Sequence, residues 1–161
     1  MRKELRGNCA APTANEIRLD ARVDNLEKVM SFLDAQLEKQ ECPRRAKMAL
    51  ELAVEEVFVN IAMYAYAPGT GEVTIRVCPD GGEQEGASAH AQNRRVVITF
   101  MDQGVPYDPL AKEDPDVTLP ASQRRIGGLG VYLVKQNVDD MSYEYRDGSN
   151  VLTLVKEYPV R

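Results

Sequence analysis

Between residues 26 and 66 the apolar residues recur at three- and four-residue steps, and after residue 72 they mostly alternate. A helical period followed by a strand period restricts the chain to helices packed against a sheet. Leu26, Val29, Met30, Leu33 and Leu37 form the stripe of one amphipathic helix. Asp24, with Glu27 three residues on, gives that helix a capping-box-like start. Pro43 supplies the first residue of a second helix, which runs to about Tyr66, where "APGTG" stops it. "NEIRLDARVD" contains a strand upstream, through Ile17, Leu19, Ala21 and Val23. Downstream, "EVTIRVCP" and "RRVVITFMD" are strands rich in β-branched residues, joined by a polar hairpin loop at 80–93. Residues 103–126 hold four prolines and no clear period, the signature of a long loop of the kind that serves as a lid. "GGLGVYLVKQNVDD" reads as a glycine-rich turn opening a third helix. "MSYEYRDGSNVLTLVKEY" reads as a hairpin about a "DGSN" turn. The expected fold class is α+β: a two-layer sandwich with a mixed, mostly antiparallel sheet and the helices on one face. Residues 1–15 are expected to be a flexible lead-in and 16–161 one domain.

At 161 residues with a net charge of −5 and a pI near 5.0, the chain is not suited to direct nucleic-acid or anionic-membrane binding. No apolar run is long enough to span a bilayer, so a cytoplasmic location is expected. Cys9, Cys42 and Cys78 are odd in number and show no CxxC spacing; reduced thiols are expected. The single histidine, His90, lies in a polar run, which argues against a Ser-His-Asp triad or a two-histidine metal site.

Three stretches carry chemistry. In "VEEVFVNIA", Glu56 and Asn60 stand four residues apart and so share a helix face. A carboxylate beside an amide oxygen suits Mg²⁺ and its waters, with Asn60 as ligand and Glu56 orienting or deprotonating an attacking hydroxyl or water. The alternative is a solvated Glu56 and an Asn60 bonded to nearby backbone. "MDQGVPYDP" follows a strand directly, so Asp102 stands at its end, able to accept a hydrogen bond from an exocyclic amine such as that of adenine. Gly104 stands where the backbone bends or comes close to something. A plain Asx turn is the competing reading. In "RRIGGLGVYLVK", Gly127, Gly128 and Gly130 precede an apolar helix, where backbone N–H groups can gather around an anion. Arg124 and Arg125 add positive charge, although a glycine-rich cap explains the glycines equally well.

In this order, "ELAVEEVFVNIAMYAY", "DQGVPYDP", "RRIGGLGVYLVKQNVDDMSYEY" and "GSNVLTLVK" resemble the N-box, G1 and G2 boxes of the GHKL (Bergerat-fold) ATPase superfamily. Within it the chain is similar to the stand-alone anti-sigma-factor serine kinases of the RsbW type, over about residues 16 to 158. The resemblance implies ATP and Mg²⁺ as cofactors, with Asn60 coordinating the metal and Glu56 acting as general base. It implies that Asp102 reads the adenine amino group with Gly104 allowing close approach, and that Gly127, Gly128 and Gly130 contact the phosphates. Thr153 is the candidate for supporting adenine recognition through water, and Arg125 (or its neighbour Arg124) for touching the terminal phosphate. The lid would span about 105–127. The implied partners are a STAS-domain anti-sigma-factor antagonist, as the protein substrate, and a sigma factor; homodimers are common in the family. The chain departs from the pattern at Tyr64 and Ala65, where a His-Gly pair is frequent, and at Pro106, where a second glycine is. A nucleotide-gated binding module without kinase activity is the alternative. A histidine-kinase catalytic domain and the gyrase-like relatives are disfavoured by the absence of a phosphorylatable-histidine helix pair and of a transducer domain.

Overall fold

The chain's last hairpin illustrates how local chemistry sets the architecture. Asp147 and Gly148 both adopt left-handed backbone, at φ 54° and 79°, which gives the tight two-residue turn whose twist matches antiparallel strands. The computed structural model describes residues 15–80, 93–111, 113–114, 116, 118–120 and 129–159. In chain order the elements are β1 (Glu16–Asp20), α1 (Leu26–Lys39), α2 (Arg44–Asn60) and a π turn (Ile61–Ala65). There follow β2 (Glu72–Asp80), β3 (Asn93–Asp102), α3 (Leu129–Asn137), β4 (Asp140–Arg146) and β5 (Ser149–Pro159).

The five strands lie in the order β1-β2-β3-β5-β4, and every neighbouring pair is antiparallel, so the sheet is antiparallel throughout rather than mixed. Because side chains alternate across a strand, one sheet face carries Val73, Ile75 and Val77 from β2 and Val96, Ile98 and Phe100 from β3. Leu152 and Leu154 of β5 complete that face. Val29, Leu33 and Leu37 of α1 and Leu50, Val54 and Phe58 of α2 close over it as a single core, joined by Val134 of α3. Thr74, Arg76, Val97, Thr99 and Thr153 point to the other face and are only half-buried.

Three local expectations shift. Asp24 does not cap α1: residues Val23–Asn25 form a short 3-10 turn, and Asp24 points outward to Arg22. Instead the Asn25 side-chain amide donates to the Asp20 carbonyl at 2.9 Å and ties the helix start to β1. Pro43 stands one residue before α2, with its carbonyl accepting the Lys47 N–H at 2.9 Å. Cys42 is a free thiol whose pKa is pushed up by burial, against the pull of Lys47 and Lys156. Cys78 is disulfide-bonded, which corrects the expectation that all the thiols are reduced. Cys9 and His90 lie outside the described residues.

Candidate functional site

Glu56 and Asn60 project from the same side of the last turns of α2, and neither is fully buried. The first turn of α3 comes down on them at Gly130. A Cβ placed there would lie 2.7 Å from Glu56 Oε2 and 3.7 Å from Asn60 Nδ2. The missing side chain is therefore what lets the start of a helix sit against this carboxylate and amide. Among the described residues neither side chain has a hydrogen-bond partner, so Asn60 is not engaged with neighbouring backbone.

Immediately after Asn60 the helix widens into the π turn, a local geometry that often accompanies functional positions. Its last residue, Ala65, accepts the Val105 N–H at 2.8 Å. Gly104 packs directly on the same carbonyl; a Cβ there would come within 2.4 Å of the Ala65 oxygen. Tyr66 adds a second tie. Its hydroxyl accepts the Gln103 N–H at 2.7 Å and donates to the Glu72 carbonyl at 2.6 Å. The end of the helix carrying Asn60 and the loop that follows Asp102 are thus locked together by the Ala65 carbonyl and the Tyr66 hydroxyl.

Asp102 ends β3, buried to 6% exposure. Its Oδ1 accepts the Gly104 N–H at 2.9 Å, the Asx turn named as the competing reading of this stretch, and the Asn150 side-chain N–H at 3.0 Å. Its Oδ2 has no partner among the described residues, which leaves one carboxylate oxygen to accept from a ligand. Asn150 was not singled out by the sequence reasoning. It lies opposite Asp102 in the β3–β5 register and is equally buried, at 6%. The signal was available: in "GSNVLTL", Asn150 shares inward parity with Leu152 and Leu154, a polar residue on an apolar face.

Thr153 is not brought to Asp102. It has the opposite parity to Asn150 on β5 and pairs with Thr99, so it faces away from the helices. The alternation of the strand puts its side chain on the opposite face of the sheet from Asp102 and Asn150. Gly127, Gly128, Arg124 and Arg125 lie outside the described residues. Of the lid, the early part is held at Tyr107, whose N–H donates to Asn150 Oδ1 at 3.1 Å, and Asp114 reaches Lys135 of α3 at 2.7 Å.

The residues present fit a magnesium nucleotide better than a metal held by protein alone. Among the described residues no group of three or more His, Cys, Asp or Glu could hold a metal ion. Asn60 offers one oxygen, which matches an ion that takes its other ligands from phosphates and water. A cleft of about 610 Å³ lined by Glu38, Glu41, Cys42, Arg44, Arg94 and Tyr158 lies at the opposite end of β3 from Asp102 and shares none of these residues.

Residues 19–156 match the model of the histidine kinase-like ATPase domain. The chain belongs to that family. It is similar, at 28% identity over 113 residues, to the serine/threonine-protein kinase BtrW of Bordetella bronchiseptica, across 68% of this chain and 70% of that one. It is 30% identical over 107 residues to the serine-protein kinase RsbW of Bacillus cereus, across 64% of this chain and 59% of that one. Thus the match spans less than two thirds of the Bacillus protein. The fold also matches the crystal structure of the RsbU and RsbW domains of a Mycobacterium tuberculosis protein, with a TM-score of 0.55 at 16% identity, over 94% of this chain and 35% of that one. The chain pairs an antiparallel sheet with a helical layer, the α+β architecture expected of it.

Proposed function

We propose that this protein is an ATP-dependent serine/threonine-protein kinase of a partner-switching system. Its substrate would be a hydroxyl on a STAS-domain antagonist, and it would hold a sigma factor when that antagonist is unavailable. The observation that carries this reading is the meeting of Glu56, Asn60 and Gly130 at the first turn of α3, in a chain whose Asp102 Oδ2 has no partner among the described residues. Relatives named as serine and serine/threonine kinases support the reaction class.

The roles follow from the chemistry. Asp102 Oδ2 accepts a hydrogen bond from the adenine amino group, and Asn60 offers its oxygen to Mg²⁺. The ion would supply charge neutralisation across the phosphates. Glu56 accepts the proton of the incoming serine or threonine hydroxyl. The oxygen bonds to the γ-phosphorus as the bond from that phosphorus to the bridging oxygen breaks, and ADP leaves. Such a transfer asks mainly for placement and charge, which a few short segments on rigid elements can supply. Gly127, Gly128 and Arg125 are proposed to contact the phosphates. No helix among the described residues is long and apolar enough to cross a membrane, and the reading places the protein in the cytoplasm, acting as a monomer or homodimer.

Labelled ATP and a STAS partner test it. Wild type is expected to transfer phosphate, and Glu56→Gln to bind ATP but lose transfer by about two orders of magnitude or more. Wild-type transfer by Glu56→Gln would remove the base assignment. A tight, nucleotide-dependent complex with no transfer even in wild type would identify a binding module instead. Asn60→Ala is expected to lose magnesium-dependent ATP affinity, read by calorimetry with and without the ion.

A further inference from the structure

We infer that Asn150 is a positioning residue that joins Asp102 to the first residues of the lid, so that base recognition and lid anchoring act as one unit. The inference rests on the reading of Asp102 as the adenine acceptor. Three oxygens surround the Asn150 side-chain nitrogen: Asp102 Oδ1 at 3.0 Å, Val105 O at 3.1 Å and Gly104 O at 3.4 Å. Two donors face its oxygen, the Tyr107 N–H at 3.1 Å and the Tyr143 hydroxyl. Acceptors on one side and donors on the other fix the orientation of the amide without ambiguity. Both of its hydrogens and both lone pairs are used.

The consequences are specific to an amide. Donation to Oδ1 fixes the rotation of the Asp102 carboxylate and leaves Oδ2 as the oxygen with no partner among the described residues. The same amide holds the chain at Gly104, Val105 and Tyr107, where the lid leaves the sheet. A hydroxyl could keep one of these bonds but not span both sides. A carboxylate would place oxygen against three oxygens and forfeit both donors. Asp102 would then face a second carboxyl group at hydrogen-bond distance, and one of the two would hold a proton to higher pH. The other titratable groups nearby are Tyr143 and Tyr145 on β4, Tyr66 beside Asp102 and Asp108 in the lid, and burial pushes the Tyr143 phenol up, so it stays a donor through neutral pH.

The experiment measures ATP and GTP affinity by calorimetry on the full chain, for wild type, Asn150→Asp, Asn150→Ala, Asn150→Ser and Asp102→Ala, each checked for folding by circular dichroism. Asn150→Asp is expected to bind ATP roughly ten- to a hundredfold more weakly at mildly alkaline pH, and to recover on acidification as the introduced carboxyl group regains a donor. Wild-type affinity is expected to stay flat over the same range. Asn150→Ala should lose discrimination between ATP and GTP at all pH values, and Asn150→Ser should regain part of it. Amide hydrogen exchange at Tyr107 should quicken in Asn150→Ala. If Asp102→Ala loses discrimination while every Asn150 variant keeps wild-type affinity, discrimination and exchange, the inference on Asn150 is wrong and the adenine reading stands. If Asp102→Ala discriminates like wild type, the adenine reading itself fails.

Discussion

Two glycines in the site are forced by different kinds of neighbour, and substitution separates them. At Gly130 the obstacle to a Cβ is the end of a flexible side chain, Glu56 Oε2 at 2.7 Å. That carboxylate can swing aside, so Gly130→Ala should fold, helped by the better helix propensity of alanine, about 1 kcal/mol. It should nevertheless displace the proposed base. The expected outcome is a thermal midpoint at or slightly above that of wild type with phosphotransfer reduced about a hundredfold. Differential scanning fluorimetry and a transfer assay read the two together, and unchanged transfer would show that Glu56 does not need its present position. At Gly104 the obstacle is backbone, the Ala65 carbonyl oxygen at 2.4 Å, which cannot rotate away. Gly104→Ala should therefore cost about 1–3 kcal/mol. For a chain of this size each kcal/mol lowers the midpoint by roughly 2–4 °C. A midpoint equal to wild type would show that the loop relaxes freely off the π turn.

At the scale of elements, what was legible in the sequence is what periodicity encodes. The stripe from Leu26 to Leu37 and the alternation through "RRVVITFMD" and "NVLTLVKEY" placed α1, β3 and β5 because burial on one face demands a fixed period. The Glu56/Asn60 spacing was legible for the same reason. The π turn was not, because Ile61–Ala65 satisfies a helical pattern whether its hydrogen bonds reach four or five residues back. That Thr153 and Asp102 lie on opposite faces was not legible without the strand register, because one residue of parity moves a side chain through the sheet. Nor could pairings across the fold be read, such as Asp114 with Lys135, which lie 21 residues apart. That ion pair ties the described part of the lid to α3 at 2.7 Å, with Lys135 mostly covered and Asp114 half-exposed. Pairs of this exposure are worth up to about 1 kcal/mol. Lys135→Gln should therefore speed limited proteolysis within the lid by no more than about fivefold. High salt should produce a similar increase in wild type and little further change in the variant. An additive effect of salt and mutation would mean that the pair does not hold the lid in solution.

On the scale of the whole molecule, three tyrosine hydroxyls tie separate regions to the sheet. Tyr66 donates to the Glu72 carbonyl beside the turn after α2, Tyr143 to Asn150 between β4 and β5, and Tyr158 to the Gln40 carbonyl at the α1–α2 turn, at 3.2 Å. All three phenols have pKa values raised from the ordinary tyrosine range, with burial the largest cause in each. At Tyr66 the Gln103 N–H opposes the rise while Asp102 and Glu72 add to it. At Tyr158 Cys42 and Glu41 add to it and Arg94 opposes it. A phenol that binds its proton more tightly in the folded chain than in the unfolded one contributes its full stability below the unfolded value of about 10. The contribution is lost as pH rises through the raised folded values, because the phenolate can no longer donate. Urea unfolding midpoints should thus be steady from neutral pH to about 9 and decline above about 10, in step with phenolate absorbance. Tyr158→Phe, far from the proposed nucleotide site, should lower stability at neutral pH and flatten part of the alkaline decline without altering ATP affinity. An alkaline decline identical in Tyr158→Phe and wild type would mean that other groups drive it and that the Tyr158–Gln40 tie carries no proton-linked stability.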